Sequence, residues 1–277
     1  MKKIKSILNF IKAEYHLGKI PKRVLWGVAP TGDIHLGYLP YIKLLKYFKD
    51  KDSNIILLLA NYHGYLDSEK TKWESIKERT DHYKKFFHKF GFSENDVVET
   101  KDVYTKPDYV EGFLKFSRFL PSISLTKFAQ RTLKSFYTRD YKLSDFIYVG
   151  LQIFDVVYFR PDLVICGQDE AGIYKLGLPI IQKEVKMTVS YIYLPLVPGI
   201  YRSEMHASDE PNNKILIEEV DEAIIDRIKN RRKLINSLRR YLLPILDFSI
   251  TEKYEKNSTK DLVKNLCMKV KNLRVDK

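Results

Sequence analysis

An α/β fold built on a parallel sheet is what this sequence predicts, and three observations predict it. Short runs rich in Val, Ile and Leu ("RVLWGVA", "NIILLLANYHGYL", "DVVETKDVY", "DLVICG") alternate with longer amphipathic stretches. The two most apolar runs lack a polar alternation, as expected of strands covered by helices on both faces. A glycine-punctuated turn, Pro30-Thr31-Gly32, follows the first such run and leads into a helix, which is the arrangement of a Rossmann-like βα unit.

Taken in order, residues 3–17 read as a surface helix ending near Gly18. "RVLWGVA" reads as a buried strand, and a helix then runs to about Phe48. "NIILLLANYHGYL" is the second strand, and "KTKWESIKERTDHYKKFFHKFGF" is a helix stopped by Gly91. "DVVETKDVY" offers a third short strand. Residues 107–159 read as mostly helical, with Lys115, Arg118, Lys127, Arg131, Lys134 and Arg139 scattered through them. "DLVICG" (162–167) is a further strand, with a helix from about Glu170 and then "MTVSYIYLPLVPGI" as strand and proline-broken loop. From Glu218 the chain becomes charged helix, its last segment opened by a Ser-Thr-Lys-Asp capping pattern. The expected organisation is a main α/β unit over 1–217 and a small helical unit over 218–277.

Composition narrows the function. A formal charge of +13 in 277 residues favours an anionic partner, because clustered Lys and Arg release counterions from a phosphate backbone. Two cysteines, Cys166 and Cys267, cannot build a disulfide framework or a four-thiolate zinc site, so reducing cytosol is the expectation. No apolar run reaches the roughly 20 residues a membrane helix needs, and no dedicated metal cage is legible. The basic, amphipathic first residues lack a small-residue cleavage site, so an intracellular, soluble protein is expected.

The chemistry concentrates in "TGDIHLGY". A glycine loop between a strand and a helix start lets backbone N–H groups approach an anion, and the exposed-looking His35 could donate to phosphate oxygens. Tyr148, Gln152 and Asp155 stand at i, i+4 and i+7, on one helix face.

These segments resemble the catalytic domain of the class I tyrosyl-tRNA synthetase family of eukaryotic and archaeal type, here divergent and shortened. "LWGVAPTGDIHLGYLPYIK" resembles the region of its HIGH-type motif, "IYVGLQIFD" its Tyr-Pro-x-x-Gln-x-x-Asp segment, and "CGQDEAGIY" its Gly-Gly-x-Asp-Gln segment. "LVPGIYRSEMHAS" stands where the KMSKS-type loop belongs. The resemblance implies ATP-dependent activation of tyrosine, or a related amino acid, and its transfer to tRNA; the alternatives are a catalytically altered, synthetase-like RNA-binding protein and an amino-acid-activating enzyme outside translation. On that basis Gly32, His35 and Gly37 would cradle ATP phosphates and Asp169 would bind the ribose. Tyr148 and Gln152 would face the substrate's amino end, Asp155 its side-chain hydroxyl, with His63, Gly27 and Leu25 as pocket wall. Met205 and Ser208 would act from the mobile loop. The resemblance also implies that 1–217 is a nucleotide-binding catalytic domain, with Mg2+ carried by ATP and a homodimer formed through a helical insertion at about 107–140; the lack of a long apolar run separately gives the expectation of no membrane association.

Departures from the family pattern are informative. Leu25 stands where the family has a tyrosine that shares the substrate hydroxyl with the aspartate. Glu170 replaces a glutamine, which suits an ammonium group but brings negative charge near the substrate carboxylate. Glu204 and His206 replace loop motif residues, so a lysine that would neutralise departing pyrophosphate is missing; Arg202 and Lys214 are the nearby candidates to replace it. Asn61 replaces an aspartate. The region after 217 resembles a compressed anticodon-binding domain, in which Lys229 to Lys233 and Arg239-Arg240 are the candidate RNA contacts.

Overall fold

The computed structural model describes residues 1–67, 72–121, 142–249 and 254–273. Lys127, Arg131, Lys134, Arg139 and the second half of the expected insertion lie outside the described residues.

Six strands form one sheet in the order β1-β6-β5-β2-β3-β4. They are β1 (Glu14–His16), β2 (Arg23–Val28), β3 (Asn54–Leu59), β4 (Val97–Glu99), β5 (Leu163–Gly167) and β6 (Ser190–Leu194). Every pairing is parallel except β1 with β6. The chain builds outward in one direction through β2, β3 and β4 and in the other through β5 and β6. The order therefore reverses between β2 and β5, and a crevice opens at the carboxyl ends of these two strands, where α/β sheets bind ligands.

Strand alternation divides the core between the two faces. Val24, Trp26 and Val28 of β2 join Ile55, Leu57 and Leu59 of β3 on one face. Leu25, Ile56 and Leu58 join Val164, Cys166 and Tyr193 on the other. The first face is covered by α1 (Lys2–Phe10), α2 (Leu39–Lys49) and α4 (Trp73–Lys89). The second carries α6 (Pro107–Ser117), α7 (Leu143–Phe159) and α8 (Ala171–Ile180). Helix α7 buries Val149 through Val156 without interruption because it is packed between the sheet and α6. Its first turn is capped by Asp145, whose carboxylate accepts the Lys142 N–H at 2.9 Å.

Four expectations need correction. Helix α1 stops at Phe10, and residues 14–16 form an antiparallel edge strand on β6. The run "NIILLLANYHGYL" is a strand only to Leu59; α3 (Asn61–Leu66) follows at once. "DVVETKDVY" contributes three strand residues and then α5 (Thr100–Val103). The charged C-terminal stretch is broken between α9 (Ile224–Ile228) and α10 (Arg232–Ser237), continuing through a π-helical turn into α11 (Leu243–Asp247). In the second and third cases a local hydrophobic run is longer than the hydrogen-bonded strand that uses it.

The last helix, α12 (Thr259–Leu273), packs with α9 and α11 into the same core as α1 and α2. Lys46 of α2 donates from its ammonium to the carbonyl of Leu273 at 2.8 Å. The expected boundary near 217 thus falls between helices that share one core. Among the described residues, no helix is long and apolar enough to cross a membrane.

Candidate active site

At the β2/β5 crevice lies a pocket of about 440 Å³ of empty space, its mouth included. Leu25, Gly27, Val28 and Ala29 from β2 and its end form one wall, Leu58, Ala60 and His63 a second, and Tyr148, Gln152, Asp155, Glu170 and Tyr174 a third. All seven residues assigned from the sequence to the amino-acid pocket are therefore brought together. The i, i+4, i+7 spacing puts three of them on one face of α7.

The polar groups of the pocket fall into two ends. At one, Gln152 Nε2 donates to Glu170 Oε1 at 3.0 Å and to the Tyr174 hydroxyl at 3.4 Å. Its side-chain carbonyl is buried without a hydrogen-bond partner. Such an orphan acceptor costs about 1–3 kcal/mol unless a ligand N–H meets it. Burial, reinforced by the neighbouring Asp169 carboxylate, pushes the Glu170 carboxyl up to about 8. At the other end is Asp155, 3% exposed. Its two oxygens accept from the hydroxyls of Tyr104, at 2.6 Å, and Tyr109, at 2.7 Å. Burial raises its carboxyl to about 7 despite both hydrogen bonds, which lower it. His63, between the ends, is held neutral by burial at about 4 and stands edge-on to the Tyr148 ring at 4.7 Å.

The glycine turn next door is built differently. The Thr31 carbonyl accepts from Arg79 Nη1 at 2.8 Å, and the Gly32 carbonyl from the Tyr83 hydroxyl at 3.0 Å, so α4 fixes the turn. The carbonyl of Ala207 lies in the space a Cβ on Gly32 would occupy, so the loop over 204–208 sits down on the turn and only glycine fits. His35, expected to be exposed, is 5% exposed beneath that loop. Its Nδ1 accepts the Gly37 N–H at 3.1 Å, and its backbone bridges to Leu216. Burial, then the Lys214 ammonium and His206, lower it to about 3, so it is neutral. His35, Gly32 and Gly37 do not line the pocket. Met205 is buried in the core, its N–H bonded to the Val197 carbonyl at 2.9 Å, whereas Ser208 is exposed.

The loop is fastened by Asn213 and Lys214. Asn213 accepts the N–H groups of Tyr201 and Arg202, both at 2.9 Å, and donates to the Glu204 carbonyl and Asp209. Lys214 Nζ donates to the Ala207 carbonyl at 2.8 Å and to Asp33 at 3.1 Å. Of the two candidate cations, Lys214 is buried beneath the loop and Arg202 is exposed, paired with Asp209 at 3.5 Å. Glu204 meets His206 Nε2 at 3.0 Å. Asp169, on the rim, has its carboxyl raised by desolvation and by Glu204, and lowered by His206. Asn61 is a structural bridge: its amide donates to Thr80 at 2.7 Å and its carbonyl oxygen accepts the Lys101 N–H at 3.4 Å.

Sequence reasoning missed Tyr104, Tyr109 and Tyr174. Tyr174 stands four residues after Glu170 at a helix start, a spacing that could have found it. Tyr104 closes a segment read as a strand and Tyr109 opens one read as mostly helical, so no shared period joined them. Among the described residues no cluster of three or more His, Cys, Asp or Glu could hold a metal ion.

A doubly wound sheet with a polar-ended pocket at its switch point defines a Rossmann-like, ligand-binding α/β protein. Residues 19–276 match the model of one such family, the class I tRNA synthetases (W and Y), and the chain belongs to it. Curated relatives include the probable cytoplasmic tyrosine–tRNA ligase of Enterocytozoon bieneusi, 26% identical over 84% of this chain and 69% of that protein. Another is the tyrosine–tRNA ligase of Archaeoglobus fulgidus, 28% identical over 75% of this chain but only 63% of its own length. Among solved structures, tyrosyl-tRNA synthetase from Archaeoglobus fulgidus complexed with L-tyrosine superposes with a TM-score of 0.76 at 21% identity, covering 98% of this chain and 92% of that one. Tryptophanyl-tRNA synthetase from Giardia lamblia gives 0.70 at 15% identity, over 98% and 81%. At these identities the solved structures speak for the fold.

Proposed function

We propose that this chain is an aminoacyl-tRNA ligase that activates tyrosine, or a closely related amino acid, with ATP and transfers it to tRNA in the cytoplasm. The observation that carries this reading is the pocket with two unlike polar ends. The unmet Gln152 carbonyl and the adjacent Glu170 suit an ammonium group, and Asp155 at the far end suits a ring hydroxyl. Family membership and the names of the relatives support it.

In this reading the ligand's ammonium ion draws Glu170 into its ionised form, and Gln152 accepts one N–H. The substrate carboxylate then lies toward the carboxyl ends of β2 and β5, with ATP over Gly27 to Ala29 and its ribose at Asp169. Gly32, His35 and Gly37 support the phosphates from beneath the loop. Adenylation asks the protein chiefly for positioning and charge compensation. Here Glu204 and Asp169 add like charge at the mouth while Lys214 is engaged with Asp33 and Ala207, so the reaction runs slowly unless the loop lifts. Mg2+ would ride on the phosphate oxygens, as it does with few protein ligands.

Residues 1–217 form the catalytic unit and 218–277 a reduced anticodon-binding-like unit offering Lys233 and neighbouring cations to tRNA. Exposed Val110, Leu114 and Leu143 support a homodimer through the region of about 107–140. ATP–pyrophosphate exchange across the amino acids tests the proposal. Exchange with tyrosine is the expected result; no exchange with any amino acid, in folded protein that binds ATP, would remove it.

A further inference from the structure

Asp155 poses a physical question that the amino-acid pocket alone does not answer. A carboxylate 3% exposed is costly, and replacing a buried polar cluster by apolar groups of similar volume is commonly neutral or stabilising. Two tyrosine hydroxyls nevertheless converge on it, from the turn after α5 and from α6. Neither ring is free to move: they stack on each other at 4.4 Å, and Tyr109 meets Phe154 edge-on at 5.0 Å. Each hydroxyl spends its one proton on Asp155, so neither can donate to a ligand. The carboxylate, with about four lone-pair sites, keeps acceptor capacity beyond the two bonds it has, and it lines the cavity. Leu25 and Leu58, which line the same cavity, offer no hydrogen bond.

We infer that Tyr104 and Tyr109 are positioning residues that hold Asp155 as an oriented, ionised acceptor for a ring hydroxyl, so that these two tyrosines, through Asp155, set the preference for a hydroxylated over a plain aromatic side chain. The inference rests on the proposed tyrosine reading of the pocket. A hydroxylated ligand adds a third donor to the carboxylate and favours its charged form. A plain phenyl ring placed against it favours the neutral form. The preference for tyrosine over phenylalanine therefore grows as pH rises through the Asp155 carboxyl's value of about 7.

The groups facing Asp155 are Tyr104, Tyr109 and, on α8, Tyr174; His63 Nδ1 lies 3.3 Å from the Tyr104 hydroxyl. The tyrosines are raised by burial and His63 is held down at about 4, so none of them titrates between pH 6 and 8. Glu170 does titrate there, but it faces the ammonium end common to both ligands and cancels in the ratio.

The test is calorimetric binding of L-tyrosine and L-phenylalanine to the full chain at pH 6, 7 and 8, for wild type, Tyr104→Phe and Tyr109→Phe. Wild type is expected to prefer tyrosine, increasingly from pH 6 to 8. Each variant should lose about tenfold of that preference at pH 7, as one charge-assisted hydrogen bond is worth, and should shift its rise to higher pH. The phenylalanine affinity at pH 6 should stay within about twofold, which an unfolded or collapsed pocket would not allow. An unchanged ratio and pH profile in both variants, or a wild-type preference that does not vary with pH, would overturn the inference while leaving tyrosine activation standing. A wild type that prefers phenylalanine, or binds neither, would overturn the tyrosine reading together with it.

Discussion

The two halves of the crevice are built on opposite principles. One half is an open cavity in which the Gln152 carbonyl has no hydrogen-bond partner and burial raises the carboxyls of Asp155 and Glu170. The glycine-turn half is satisfied and shut. Arg79 and Tyr83 brace its turn, Ala207 covers Gly32, and Lys214 ties that loop to Asp33. One half asks for a ligand to complete it, and the other must give up contacts to admit one. The lesson is that one crevice can hold an open cavity beside a closed loop, each built by its own set of contacts.

Substitutions sharpen the contrast. The largest effect is expected from Gly32→Ala, because the obstructing atoms belong to the Ala207 backbone and cannot rotate away. Overpacking of this kind costs about 1–3 kcal/mol. A lowered melting temperature and faster proteolysis within 204–208 would register it, whereas an unaltered protein would show that the loop does not rest on the turn.

Next is Glu204→Lys, which removes like charge from the mouth. Pyrophosphate exchange should rise about tenfold, equivalent to about 1.4 kcal/mol of barrier. A fall in rate would mean that the Glu204–His206 pair contributes to the reaction.

Lys214→Met should cost about 1 kcal/mol, chiefly the bond to the Ala207 carbonyl, since Asp33 is exposed to solvent. With that ammonium gone, the His35 imidazole should titrate at higher pH, as NMR would report. An unmoved His35 would place Lys214 elsewhere.

The smallest effect is a pH signature of stability. Glu170 is raised in the folded protein, so its contribution is present below the unfolded carboxyl value and is lost as pH rises through about 8. Glu170→Gln should therefore gain stability relative to wild type at pH 8 more than at pH 5. His35 and His63 act in the opposite sense: both are lowered, so their contribution is present above the unfolded imidazole value and is lost as pH falls through about 3 for His35 and about 4 for His63. Equal effects of Glu170→Gln at both pH values would contradict the assignment.

How much of this was legible in the sequence depended on the range of the forces involved. β2 and α7 announce themselves by composition and period, since both are buried between layers, and with α7 came Tyr148, Gln152 and Asp155 on one face. β1 did not: a three-residue edge strand alternating exposed and half-buried positions carries no local signal, and it exists because β6 needs a partner. Tyr104 was hidden for a related reason, since α5 begins only after β4 has paired with β3, and nothing within α6 tells that Tyr109 meets Asp155 of α7. The burial of His35 was invisible because it comes from residues about 170 positions later in the chain. Spacing reveals what one helix or strand arranges by itself, and contacts between distant loops leave no period.

The orientation of a ligand in the crevice is decisive, and a crystal structure with a non-hydrolysable tyrosyl-adenylate mimic measures it directly. The expected result has the phenol hydroxyl on Asp155, the ammonium between Gln152 and Glu170, and the adenosine beyond Gly27 at Asp169 with the 204–208 loop raised from Gly32. A mimic bound in the reverse sense, or seated outside the cavity while Tyr104 and Tyr109 keep Asp155 to themselves, would contradict it.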